Sequence, residues 1–247
     1  MKRALLIGLN YTNSDYELQF CKADVDAVGK RMELCKVQTQ YVYEDIEIQD
    51  LLNLLDSYKA SQKKTDTFYF VYSGHGTQIP GNEPDQYDEA ICLWKNGYID
   101  LFRDDRLRAK LNEFIGQIVV IFDSCFSGGM DRNLTMGTKR FVEYDRIVTN
   151  PSNPPVFPTV VPSLPEQVES NKTDYNKPRI NFMFASSEDE VSWESNGHGF
   201  FTGSLIKNWD SGKKYITQLM SLIYKDVQAD QHPVHIKENT TGIKKLF

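Results

Sequence analysis

Two short stretches hold residues able to do covalent chemistry. Phe68–Gly76 (FYFVYSGHG) ends on a turn carrying His75, and Ile118–Gly129 (IVVIFDSCFSGG) ends on one carrying Cys125. A thiol is mostly protonated near neutral pH and must be activated before it attacks an acyl carbon. A neighbouring imidazole can favour the thiolate and later protonate a leaving amine. His75 and Cys125 fit those roles, and together they point to acyl transfer through a thioester. Taken singly, the thiol reads as a small buried hydrophobe and the histidine as a satisfied loop residue. Their joint placement, each after an apolar run and each flanked by glycine (Gly74, Gly76, Gly128, Gly129), favours the dyad.

The elements that must position this pair follow from the apolar pattern. Ile118–Phe122 and Phe68–Tyr72 are apolar on every side, which suits central parallel strands buried on both faces. Open α/β sheets keep their ligands just beyond the C-terminal ends of such strands. The 50-residue separation of His75 and Cys125 leaves room for a crossover that sets the two strand tips side by side. Further strands are expected at Ala4–Leu9, Gln40–Tyr43, Ile180–Ala185 and Pro233–Ile236, with a hairpin of Ala90–Trp94 and Tyr98–Ile99 around Asn96-Gly97. Helical spacing predicts helices over Leu18–Met32, Ile48–Tyr58, from Asp104 past Leu111, Phe200–Trp209 and Ile216–Val227. Strands alternating with helices give an α/β fold with a parallel sheet. Residues 131–178 hold seven of the ten prolines and read as a long mobile or functional loop inside a single domain spanning 1–247.

SGHG at 73–76 and DSCFSGG at 123–129 resemble the two catalytic blocks of the caspase-fold cysteine peptidases, and within them the metacaspases. The resemblance implies a caspase–haemoglobinase fold, a mostly parallel six-stranded sheet flanked by helices on both faces. It also implies an endopeptidase using His75 and Cys125, with the N–H groups of Gly76 and Cys125 as oxyanion donors. An acidic residue two before the nucleophile, Asp123, repels a substrate aspartate and attracts arginine or lysine. Metacaspases pair that aspartate with a C-x-x-D element of the first helix, matched here by Cys21-Lys22-Ala23-Asp24, and Ser73 matches another pocket position. Trp193 falls in a block resembling the one that borders the substrate groove. His198, with no apolar strand before it, reads as a loop residue.

The resemblance further implies activating calcium. Asp88 and the pair Asp104-Asp105 resemble the family's ligand positions, with Asp131 as a fourth, although Asp-Asp-Arg stands where the family often has Asp-Asp-Glu. By chemistry alone, carboxylates at Asp85, Asp88, Glu89, Asp104 and Asp105 serve equally as helix caps, exposed charge or ligands for a hard cation. Self-processing after a basic residue of the proline-rich segment is expected too, at exposed sites among Lys139-Arg140, Lys172, Lys177 and Arg179.

Composition limits the alternatives. A net charge of −6 argues against nucleic acid and anionic membranes as partners, and no apolar run approaches the ~20 residues that span a bilayer. Four cysteines without a CxxC pair suit reduced thiols in the cytoplasm, and the sequence begins at the first strand with no amino-terminal pro-domain expected. The expected partners are protein or peptide substrates, and the expected state is a monomer. Competing readings are a legumain- or gingipain-like peptidase and a catalytically silent caspase-fold binding module.

Overall fold

The computed structural model describes residues 1–81, 87–125, 137–149, 151, 177–187, 190–209, 215–229 and 231–240. Its first half runs β1 (Lys2–Gly8), α1 (Cys21–Leu34), β2 (Gln38–Val42), α2 (Ile48–Ala60) and β3 (Thr67–Ser73). A three-stranded meander follows, β4 (Gly76–Pro80), β5 (Tyr87–Lys95) and β6 (Tyr98–Arg103), then α3 (Asp104–Asn112) and β7 (Gln117–Asp123). Next come the short β8 (Thr138–Lys139), β9 (Arg179–Phe184), β10 (Trp193–Ser195) and β11 (His198–Gly199). Helices α4 (Phe200–Lys207) and α5 (Ile216–Val227) and strand β12 (Val234–Glu238) close the described chain.

The main sheet has six strands in the order β12-β9-β7-β3-β1-β2, parallel except for the antiparallel edge pair of β12 with β9. Strands β1, β3 and β7 are nearly continuous apolar runs because both their faces are covered. Alternate residues feed two cores. Leu5, Ile7, Phe68, Phe70, Ile118 and Val120 pack with Leu51 and Leu55 of α2 and Leu107 and Leu111 of α3. Ala4, Leu6, Tyr69, Val71, Val119 and Ile121 face Val25, Val28 and Met32 of α1, Phe201 and Leu205 of α4, and the Leu219–Ile223 stripe of α5. The expected hairpin is present as β5 and β6, with Asn96 and Gly97 at φ +53° and +84° in the turn.

Strand β4 was not legible. Its five residues end in a proline, and they become a strand only by pairing with β5, Gly76 opposite Ile91. Within the expected loop over 131–178, residues 137–149 are ordered against the sheet ends, through β8 and a 3-10 turn at Tyr144–Arg146. Most of the rest of that loop, with Asp85, Gly128, Gly129, Asp131 and Lys172, lies outside the described residues.

Chain order reverses between β1 and β3, since β2 lies outside β1 and the later strands of this sheet, β7, β9 and β12, lie beyond β3. That is the switch point at which open α/β sheets form a crevice. Ser73 and Asp123 are the last register pair of β3 and β7, so His75 and Cys125 each stand two residues past it on adjacent strands.

Candidate active site

His75 is fixed by aromatic neighbours that its motif does not announce. Its backbone N–H donates to Tyr11 Oη at 2.9 Å, and Tyr72 Oη donates to its carbonyl at 2.7 Å. The two phenols are 3.0 Å apart, and Tyr11 also donates to the Cys92 carbonyl at 2.6 Å. A Cβ on Gly74 would come within 2.6 Å of Tyr72 Oη, so the tight turn needs glycine there. His75 Nε2 lies 2.8 Å from the Tyr16 carbonyl, which can only accept, so that nitrogen carries the proton. Nδ1 is therefore the basic nitrogen, buried and without a hydrogen-bond partner. The backbone carbonyl of Tyr16 thus orients the ring, a contact that no sequence motif supplies.

Cys125 is fully buried beside Val191 and Trp193. Its Sγ accepts the Ser192 N–H at 3.0 Å. Burial pushes the thiol up to about 11, although Ser192 and the backbone of Arg140 pull the other way. Burial also lowers His75 to about 4, against the raising effect of the Tyr16 and Arg140 backbones. Both groups are therefore neutral at pH 7, and the backbone of Arg140 bears on each.

The imidazole's depressed value has a consequence for stability. Its folded pKa lies below the unfolded value, so its contribution is complete above about pH 6.5 and is lost as pH falls toward 4. The shift corresponds to about 3 kcal/mol at full extent. In urea unfolding of the Cys125→Ala protein, we expect His75→Gln to flatten the decline in stability between pH 7 and pH 4.5. An unchanged slope would show that the ring is not buried neutral.

The acidic pocket is assembled and already contains a cation. Arg140, expected as an exposed basic site on a loop, is instead completely buried, its side chain enclosed by Asp24, Asp123, Glu194 and Ser73. Nη2 lies 2.5 Å from Asp24 Oδ2 and 3.1 Å from Glu194 Oε2. Nη1 lies 3.0 Å from Asp123 Oδ1, 2.9 Å from Ser73 Oγ and 3.0 Å from the Asp123 carbonyl. Arg140 can be buried because four oxygen-bearing residues offset the desolvation of its guanidinium.

The backbone of Arg140 is as well placed as its side chain. Its N–H donates to the Ser192 carbonyl at 3.1 Å, and its carbonyl accepts the Gly76 N–H at 3.0 Å. Gly76 thus presents its amide to the carbonyl of the residue seated in the pocket. Trp193 is buried on β10, with the Lys139 ammonium 5.6 Å over its ring, so it borders the same segment. Cys21 is buried with its Sγ 3.9 Å from Glu194 Oε2, and desolvation raises its thiol well above the usual range.

Helix amides hold the carboxylates. Asp24 accepts from Gly199 N–H at 3.1 Å and Asp123 from Thr202 N–H at 2.9 Å, both at the start of α4. Glu194 accepts from Gln19 N–H at 2.7 Å and Phe20 N–H at 3.4 Å, where the chain enters α1. His198, expected on a loop, lies in β11 with Nδ1 2.9 Å from Asp24 Oδ1, and that bond raises its pKa. Glu194 was missed because it stands outside both catalytic blocks; its one signal is adjacency to Trp193.

The carboxylates assigned to calcium are arranged around an arginine. Asp88 pairs with Arg103, and the charges of Asp104 and Asp105 on the first turn of α3 also act on that guanidinium. Among the described residues no three His, Cys, Asp or Glu side chains gather as a metal site. In this arrangement Asp88 is engaged by Arg103, and Asp85 and Asp131 lie outside the described residues.

A family model described as the caspase domain matches residues 1–244. The chain belongs to the caspase-domain family. It is 32% identical to metacaspase-1 of Schizosaccharomyces pombe over 156 residues, covering 56% of this chain and 37% of that protein. Metacaspase-8 of Arabidopsis thaliana is 32% identical over 52% of this chain and 38% of its own length. Metacaspase-4 of the same plant is 29% identical over the whole chain and 55% of its own length. The chain therefore spans between about a third and about half of these relatives. Among solved structures, a Geobacter sulfurreducens protein superposes with TM-score 0.76 at 22% identity, over 98% of this chain and 95% of that one. Caspase-1 of Spodoptera frugiperda superposes with TM-score 0.58 at 10% identity, over 98% and 87%. These two establish the caspase-like α/β fold. Among the described residues of this metacaspase-like domain, no helix is long and apolar enough to cross a membrane.

Proposed function

We propose that this chain is a cysteine endopeptidase that cleaves after arginine or lysine, with His75 and Cys125 as its dyad, and that it cuts its own chain between Arg140 and Phe141. The observation that carries this reading is the seating of Arg140, its guanidinium among carboxylates and its carbonyl on the Gly76 amide. In the reaction, the Cys125 thiol gives its proton to His75 Nδ1 and the sulfur attacks the carbonyl carbon. The Gly76 and Cys125 amides receive the developing oxyanion. The C–N bond breaks as the imidazolium protonates the departing amine. His75 then takes a proton from water, whose oxygen attacks the thioester, and the carboxylate leaves as the thiol re-forms.

Protein or peptide chains with an exposed arginine or lysine are the proposed substrates. Self-cleavage vacates the pocket for them, because residue 140 would no longer be tethered to residue 141. Calcium stimulation, taken from the metacaspase resemblance, requires Arg103 to release Asp88; no step above depends on it.

The test uses purified protein on paired fluorogenic peptides ending in arginine and in aspartate, with calcium and with chelator, alongside intact mass and N-terminal sequencing. We expect arginine-peptide hydrolysis and a new N-terminus at Phe141. Aspartate cleavage would overturn the pocket assignment, and no cleavage by folded protein in any lane would make the chain a silent caspase-fold binding module. A rate indifferent to chelator would remove calcium from the proposal.

A further inference from the structure

Resting on the reading of this pocket as the peptidase's specificity site, we propose that Glu194 makes it a slot selective for arginine over lysine, with Gly199 providing the space. The oxygens around Arg140 are distributed over two terminal nitrogens. Asp24 and Glu194 meet Nη2, while Ser73, the Asp123 side chain and the Asp123 carbonyl meet Nη1. A planar guanidinium fork satisfies both groups at once. A lysine ammonium is a single point, one bond shorter in reach, and cannot stand at both nitrogen positions.

Glu194 is suited to this role because its position does not depend on the occupant. The amides of Gln19 and Phe20 hold its carboxylate, so it remains aimed at the Nη2 position when the pocket is empty. Gly199, the register partner of Glu194 on β11, also lies against the guanidinium. A Cβ there would lie 2.5 Å from Arg140 Nη1 and 2.7 Å from its Cζ, and would also clash with Asp123 Oδ2, so any larger residue would collide with the guanidinium and its carboxylate partner. Gly199 is thus a specificity residue through the atom it lacks.

The measurement is kcat/KM on two peptides identical except for a terminal arginine or lysine, for wild type and Glu194→Gln, with thermal melts of both proteins. A site built around specific hydrogen bonds rejects a ligand that leaves them unmade, so wild type should prefer arginine by roughly 10-fold or more. Glu194→Gln keeps one oxygen for the Gln19 amide, loses the charge and places an NH2 group where Oε2 meets the Phe20 amide and Nη2. We expect the arginine-to-lysine ratio to fall at least about 5-fold, with KM for arginine rising more than kcat changes. Equal losses on both peptides would assign Glu194 only to pinning β10 against α1 and overturn the proposal. If Glu194→Gln does not fold, wild type alone decides, since lysine cleaved as well as arginine would also overturn it. Hydrolysis of neither peptide by wild type would overturn this inference together with the proposed function, whereas hydrolysis of both at equal rates would overturn this inference alone.

Discussion

Arg140→Ala is expected to destabilise the uncut chain by about 3–5 kcal/mol, the range for removing one partner from a buried ionic network. The guanidinium is fully buried, and the side chains of Asp24, Asp123 and Glu194 are nearly so. Without it, three carboxylates remain in the pocket with only helix amides, Ser73 and His198 to hold them. Water entering the vacated volume will keep the loss toward the lower end. The deficit should be larger at pH 7 than at pH 5. Burial already raises Asp123, and Arg140 is the main influence opposing that rise. With the arginine gone, the Asp123 pKa climbs further above its unfolded value, and the folded state gains relative stability as that group binds a proton. Arg140→Lys should recover part of the loss. Urea unfolding in the Cys125→Ala background, where no self-cleavage intervenes, gives the number. A change under about 1 kcal/mol would mean that residues 138–142 do not lodge in the site in solution.

Cys125→Ala should lower arginine-peptide hydrolysis by at least about 10⁴-fold and leave the chain as one intact species. No other described thiol can substitute. Cys21 and Cys92 are completely buried, and desolvation raises both thiols well above the usual range, while Cys35 caps the C-terminal end of α1, remote in sequence from both strand ends. His75→Ala should cost about as much, and the double variant no more than either, because nucleophile and base act as one unit. Folding should survive in Cys125→Ala, since the lost contacts are those to Ser192 and the small cluster with Val191 and Trp193. Residual activity above background in a protein with native melting behaviour would move the nucleophile elsewhere.

Legible in the sequence alone were the strand-end placement of His75 and Cys125, the α/β sheet and two of the carboxylates around Arg140. Each is encoded locally: apolar runs of β3 and β7 specify buried parallel strands, and glycine-flanked turns after them specify where His75 and Cys125 emerge. Asp24 and Asp123 were legible because a family motif names them. The tertiary structure alone decided what fills that pocket. Arg140 meets Asp24 across 116 residues of sequence and Glu194 across 54, and no periodicity carries such a pairing. A Lys-Arg pair in a proline-rich stretch looks like exposed charge until three carboxylates and two helix N-termini converge to receive it. The orienting Tyr16 carbonyl and the Tyr11–Tyr72 pair behind His75 are of the same kind, since backbone groups and distant phenols acquire their roles only when β1, β3 and β5 are brought together.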